Sequence, residues 1–253
     1  MPAGPRFYCP VPLAPGITLD LPDGAARHVQ VLRLQPGGAI TLFGSTSPQF
    51  NGGEFAATVT AMGRQSVQVL VAGHDPVERE AVRVLHLAIG IPANERMDWL
   101  VEKATELGVT TIQPLMTERT VVRLDAQRAA RKLAHWQSIA VAACEQCGRN
   151  RVPVIHPVLP LARWYQLRTS VPPAQESVAL VLSLQRQSHD LREWTGTIQG
   201  QNAQSVTFLC GPEGGLGRAE ETLAIAGGHL PVSLGARVLR SETAALAALT
   251  LLA

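Results

Sequence analysis

Up to about residue 72 the hydrophobic residues fall at alternate positions: Ile17, Leu19 and Leu21; Ile40 and Leu42; Phe55, Ala57 and Val59; Val67, Val69 and Val71. Alternation of this kind turns one face of a strand to a core and the other to water. Pro36-Gly37-Gly38, Asn51-Gly52-Gly53 and Met62-Gly63 separate the runs, and one helical-looking stretch, Ala25 to Leu34, interrupts them. Short strands divided by turn residues predict a small β-barrel. The polar segment Gly73 to Glu80, which carries Pro76, marks a boundary, so the expected domains are residues 1–73 and 74–253.

Beyond the boundary the rhythm changes. Val82 to Ile89 is an apolar run of strand length; Met97, Leu100, Val101, Ala104 and Leu107 then recur at helical spacing until Gly108 supplies a stop. Val109 to Met116 is strand-like, and a long helix follows from about Ala126 to Gln146 with Asp125 as its N-cap. Leu161 to Leu167 predicts a short helix, the stretch around Pro172-Pro173 a loop, and Val178 to Leu182 a buried strand. Two further strands, Ser205 to Leu209 and Leu230 to Ser233, each run into a glycine-bearing turn and then a helix. Strands alternating with helices make an α/β fold with a mostly parallel sheet, which binds ligands at the carboxyl ends of its strands.

Composition narrows the class. With 253 residues and 46% hydrophobic content the chain can bury a sizeable core. No apolar run reaches the length of about 18 residues that a membrane helix needs, and the N-terminus has no export signal, so a soluble cytoplasmic protein without membrane partners is expected. A net charge of +2 permits a nucleic-acid partner without requiring one. Only Lys103 and Lys132 among the 22 basic residues are lysine; this fits guanidinium recognition of phosphate and a general arginine bias equally well. The four cysteines lack a second CxxC, and the seven histidines lack ligand spacing, so no metal is expected. Cys144 and Cys147 share a helix face with Leu133, Trp136 and Ala140, as small buried residues do.

The first glycine turn is Cys210-Gly211-Pro212-Glu213-Gly214-Gly215 and the second Leu234-Gly235-Ala236-Arg237. A phosphate cradle fails on the letters. No lysine follows the last glycine, GxGxxG cannot be placed on Gly211 to Gly217, and the Glu213 carboxylate would repel a polyphosphate. The ligand is therefore neutral or cationic at that point, a description that S-adenosylmethionine meets. Apolar Leu182, Leu209, Leu234, Val238 and Leu239 could sandwich an adenine while backbone groups of the turns bind its edge. The plain alternative is that the glycines serve tight strand–helix connections.

Gly211-Pro212-Glu213-Gly214-Gly215 with Glu220, and Leu234-Gly235-Ala236-Arg237-Val238-Leu239-Arg240-Ser241-Glu242-Thr243-Ala244, resemble the RsmE family, 16S rRNA uridine-N3-methyltransferases of the SPOUT class. His28 with Val31-Leu32-Arg33, the segment Glu102 to Val109, Thr117-Glu118-Arg119 and Glu145 to Arg149 extend the likeness along the chain. The resemblance implies a smaller N-terminal PUA-like β-barrel for RNA and a C-terminal SPOUT α/β domain threaded into a trefoil knot. It further implies S-adenosylmethionine as cofactor, 16S rRNA in the small ribosomal subunit as substrate, and a homodimer. Carried onto this chain, the cofactor residues are Leu182, Ser183, Leu209, Gly211, Glu213, Gly214, Gly215, Leu234, Gly235, Val238, Leu239 and Thr243. Gly217 stands where a small hydroxyl residue is common, and Ala93-Asn94 where a lysine is frequent.

Methylation at uridine N3 removes an imide proton and spreads charge onto the uracil carbonyls. Arg240 and Glu213 are the catalytic candidates: Arg240 to stabilise that charge or else to contact phosphate or a second subunit, Glu213 to accept the proton or else to bind backbone amides in its turn. Arg33, Arg119, Arg123, Arg149 and Arg151 are candidates for holding RNA, each with a solvated surface as the alternative. Methylation of another RNA position, a non-catalytic RNA-binding role in ribosome assembly, and nucleotide hydrolysis are the competing functions, the last disfavoured by the missing lysine.

Overall fold

The β-branched and aromatic residues of the first seventy or so positions pair into one five-stranded sheet in a computed structural model that describes residues 4–93, 95–169 and 176–253. The loop around Pro172-Pro173 and the Asn94 position lie outside the described residues. The chain divides into two units: Met1–Glu80 with Val141–Val152, and Ala81–Ala140 with Pro153–Ala253.

In the first unit β1 (Arg6–Tyr8), β2 (Thr18–Asp20), α1 (Asp23–Val31), β3 (Ala39–Phe43), β4 (Glu54–Met62) and β5 (Val67–Asp75) follow in order. The sheet runs β1-β3-β4-β5-β2, antiparallel except for the parallel β1–β3 pair. Among the described residues β1 and β2 are its edges, so the expected closed barrel is an open sheet; β1, only three residues long, escapes an alternation test. Phe7, Leu42, Phe55, Val67, Val69 and Val71 are fully buried beneath α1, whose Ala25, Ala26 and Val29 face them. Burying side chains of this size stabilises by about 1.5–3 kcal/mol each before conformational entropy is subtracted.

The second unit contains β6 (Val84–Gly90), α2 (Arg96–Glu106), β7 (Thr111–Met116), the greater part of α3 (Ala126–Cys147), β8 (Val154–Ile155), β9 (Leu159–Pro160), α4 (Leu161–Thr169), β10 (Ser177–Leu182), β11 (His189–Asp190), α5 (Leu191–Thr195), α6 (Ile198–Asn202), β12 (Ser205–Cys210), α7 (Arg218–Ala226), β13 (Leu230–Ser233) and α8 (Ser241–Thr250). The strands form a sheet ordered β11-β13-β10-β12-β6-β7-β8, with β9 also on β7, and every pair in it is parallel. Alternate strand residues serve opposite faces. Ala88, Leu115, Val181 and Leu209 pack with Leu161, Trp164 and Tyr165 of α4 and Ala224 of α7, while α8 lies on β12 and α2.

Local signals explain the ends of these helices. Asp125 accepts from the Arg128 amide at 2.8 Å, as an N-cap does, and Gly108, at φ +87°, takes the left-handed turn that stops α2. Trp136 and Cys144 on α3 are buried and Cys147 is half-buried. Burial pushes the Cys144 thiol up to about 12, which leaves it a packing residue. Among the described residues no helix is long and apolar enough to cross a membrane.

Candidate active site

Because β13, β10, β12, β6 and β7 are consecutive parallel neighbours, the loops that follow them emerge at one end of the sheet. The two glycine turns follow β12 and β13, on either side of the end of β10, where Leu182 and Ser183 lie. Sequence positions far apart are thus brought to one crevice.

The first turn is tight enough to need its glycines. A Cβ on Gly211 would sit 2.4 Å from the carbonyl carbon of Gly215, and Gly215 itself has φ +72°. Gly90, at the end of β6, has the same constraint from outside: a Cβ there would lie 2.5 Å from Pro212 Cδ and 2.8 Å from its nitrogen. Cys210, which leads into the turn, is buried, and burial pushes its thiol up, so it is no nucleophile. Open space lies beside Gly215, and at Gly235 (φ +98°) the nearest neighbour is a guanidinium nitrogen of Arg192 at 3.6 Å.

Side chains from other loops hold the turn. Glu213 Oε1 accepts from the Ala93 amide at 2.8 Å and from Arg96 Nη1 at 3.2 Å. Arg96 Nε also lies 4.0 Å from Oε1 of Glu242, whose Oε2 accepts from Ser241 Oγ at 3.2 Å. Glu242 is buried in the first turn of α8, directly after the extended N-cap residue Arg240 and Ser241. Arg96 therefore ties the first glycine turn to the start of the last helix. Arg119 Nη1 donates to the Gly214 carbonyl at 2.7 Å, and Glu220 receives the amides of Gly217 at 2.9 Å and Glu118 at 2.8 Å.

The candidate residues separate on this geometry. Leu182, Ser183, Gly211, Glu213, Gly214, Gly215, Leu234, Gly235, Val238, Leu239, Arg240 and Thr243 lie on the loops at the carboxyl end or on the helix start that follows them. Val238, Arg240 and Thr243 are exposed; Ser183 is buried, and its Oγ accepts from the Gln185 amide at 3.1 Å. Leu209 is fully buried in the core beneath α4 and α7, and so belongs to the fold rather than to an open surface. Glu213 binds a backbone amide, although that of Ala93 instead of one in its own turn.

The RNA candidates are dispersed. Arg119 is turned onto Gly214 and Arg123 is exposed on the same loop. In the first unit Arg33 is exposed at φ +55°, and Arg151 is exposed with Nε 3.5 Å from Glu78. Arg149 is only 4% exposed and donates to Glu80 Oε2 through Nε at 3.0 Å and Nη2 at 2.5 Å, a structural ion pair in place of a surface hand for phosphate. His28, part of the family likeness, pairs through Nδ1 with Glu145 Oε2 at 3.1 Å. Arg96 is the site residue that sequence reasoning missed.

Residues 78–253 match the family described as the RNA methyltransferase domain. The chain belongs to that family. A Ribosomal RNA small subunit methyltransferase E from Synechocystis sp. is 32% identical, over 92% of this chain and 71% of the relative. A crystal structure of the corresponding methyltransferase from Neisseria gonorrhoeae, bound to S-adenosyl methionine, is 38% identical with a TM-score of 0.86, covering 98% of this chain and 96% of that one. A Legionella pneumophila methyltransferase with bound SAM is 36% identical with the same TM-score of 0.86, covering 98% and 96%. Membership in the family matches the resemblance drawn from the two glycine motifs.

The crevice fits the cofactor of those two structures. Nothing lies within 4 Å of where a Cβ on Gly215 would stand, apolar Leu182 ends β10 and Leu234 begins the second turn, neither turn contains a lysine, and Glu213 is paired with Arg96.

Proposed function

We propose that the chain is an S-adenosylmethionine-dependent methyltransferase that acts on N3 of a uridine in 16S rRNA of the small ribosomal subunit. The observation that carries this is the crevice between the turns after β12 and β13: two glycine turns flank Leu182 and Ser183, with Arg240 on the exposed rim. When bound, S-adenosylmethionine supplies an electrophilic methyl group. Leu182, Leu234, Val238 and Leu239 would hold its apolar part, with Gly211, Gly214, Gly215 and Gly235 presenting backbone groups and Ser183 and Thr243 at the margin.

The chain's own residues then have two tasks. One is orientation, because the reacting nitrogen must come within about 3–3.5 Å of its target in the correct line. The other is electrostatic: Arg240, beginning α8 without a side-chain partner among the described residues, stabilises the negative charge that uracil acquires on losing its N3 proton. Glu213 holds the Ala93 amide and Arg96, so we assign it the role of fixing the turn.

Further parts of the proposal rest on the resemblance. The N-terminal unit is taken as a PUA-like RNA-binding domain, which its sheet and the exposed Arg33 and Arg151 support. The C-terminal unit is taken as a SPOUT domain with a trefoil knot. The order β13-β10-β12 supports this, since the chain leaves β12, crosses β10 to reach β13, and returns to lay α8 on β12. A cytoplasmic homodimer completes the proposal. Incubation with labelled S-adenosylmethionine and small ribosomal subunits from cells lacking the modification, followed by mapping of the methylated base, tests it; label absent from the RNA sinks the enzyme claim.

A further inference from the structure

The arginines of the second unit sort by what they bind. Arg83, Arg96, Arg119, Arg168 and Arg192 each spend donors on carbonyls, hydroxyls or carboxylates of the same unit. Arg123, Arg186, Arg218, Arg237 and Arg240 make no side-chain hydrogen bond or ion pair among the described residues, and all five are exposed.

These unpartnered arginines share one address. Arg123 is on the loop after β7, Arg186 on the loop after β10, Arg218 at the end of the turn after β12, and Arg237 and Arg240 on the loop after β13. All these loops leave the carboxyl end of the parallel sheet. At about 4.8 Å between neighbouring strands the rim from β13 to β7 spans roughly 19 Å. Carboxylates on the same loops are mostly consumed: Glu213 by Arg96 and an amide, Glu220 by two amides, Asp125 by the start of α3 and by Arg128. Glu118 is the exception among the described residues. Arg131, exposed in the second turn of α3, also makes no side-chain hydrogen bond or ion pair among the described residues, but it stands on a helix and not on one of these rim loops.

Guanidinium groups spread singly along a rim suit an extended polyanion. A small anion would need donors converging on one point, and arginines committed to folding would have found partners. We infer that Arg123, Arg186, Arg218 and Arg237 form a track for the RNA phosphate backbone, leading the substrate to Arg240. This rests on the methyltransferase function proposed above and names the surface by which that site would take its RNA. It replaces Arg119, whose guanidinium is engaged by Gly214, as the main backbone contact of the second unit.

The test uses the full chain and unmodified small ribosomal subunits, with affinity measured from 50 to 200 mM salt, the range over which phosphate contacts show most. Arg186→Ala and Arg218→Ala are each expected to weaken binding several-fold and to lower the slope of log K against log salt by about one, and together by about two. The lysine variants should retain most of the slope, because a point charge still serves a phosphate. Arg131→Ala should leave it unchanged. Unchanged affinity for S-adenosylmethionine shows that each variant is folded. Slopes equal to wild type in the alanine variants, or an equal loss in Arg131→Ala, overturn the track. Wild-type protein that neither binds the subunit nor transfers a methyl group overturns instead the function on which it rests, and the track with it.

Discussion

Arg96→Ala is the perturbation that most directly probes how the site is assembled. Arg96 donates to Glu213 at 3.2 Å and lies 4.0 Å from Glu242, whose side chain is 9% exposed against 41% for Arg96. Unit charges 4 Å apart attract by about 4 kcal/mol at an effective dielectric near 20, and the exposure of the guanidinium discounts this to about 1–2 kcal/mol. Removing it leaves Glu242 with the Ser241 hydroxyl, and Glu213 with the Ala93 amide. Both the first glycine turn and the start of α8 then loosen, Arg240 with them. Methyl transfer should fall about 10- to 30-fold in kcat/KM, the equivalent of 1.4–2 kcal/mol, with a smaller change in cofactor affinity read by calorimetry. If the stranded charge is the cause, adding Glu242→Gln recovers part of the loss, and Arg96→Lys recovers more than Arg96→Ala. Activity of Arg96→Ala within threefold of wild type, or a double variant no better than the single one, would refute the reasoning.

Other outcomes follow from the same geometry. Arg240→Ala should lower the single-turnover rate of methyl transfer by orders of magnitude while cofactor binding, measured by calorimetry, changes much less; an equal fall in both would make it a binding residue. Gly90→Ala should weaken cofactor binding at least tenfold, because its Cβ meets Pro212 backbone at 2.8 Å, whereas Gly217→Ser meets only the end of the exposed Glu118 side chain at 2.1 Å and should stay within about 0.5 kcal/mol of wild-type stability in urea melts. Burial and then the Arg168 charge push buried His229 down to about 4, so the unfolded chain binds its proton first as pH falls. Stability should therefore drop between pH 6.5 and 4 by up to about 3 kcal/mol, and His229→Gln should flatten that part of the pH profile in chemical denaturation.

The second unit was legible in the sequence wherever one periodicity ran long enough to exclude the other. Met97, Leu100, Val101 and Ala104 face the core as their spacing requires, and both glycine turns stand between strand and helix. The open first sheet was not legible, because alternation reports which face is buried and says nothing of whether edge strands meet. Arg96 was missed for a related reason: its partner Glu213 is 117 residues away, and only the parallel strand order brings the two loops together. The unsatisfied need of Glu213 for a cation was the available clue. Arginines on loops looked alike in the sequence, and only burial and partners distinguish Arg149, held by Glu80, from Arg123 and Arg218.

The segment Val141–Val152 belongs to the first unit although some sixty residues of the second precede it. Arg6 reaches the Arg149 carbonyl at 3.1 Å and Asn150 Oδ1 at 2.7 Å, the Tyr8 amide donates to Glu145 at 3.1 Å, and Asn150 Nδ2 donates to the Val77 carbonyl at 2.8 Å. During synthesis the amino-terminal sheet therefore leaves the ribosome before its own last piece exists. Arg6 finds Glu54 early, but its Nη2 and the Glu80 carboxylate lack these partners until residues 149 and 150 have emerged, so the two units mature as overlapping events and a nascent chain cut after Glu80 is an unfinished domain.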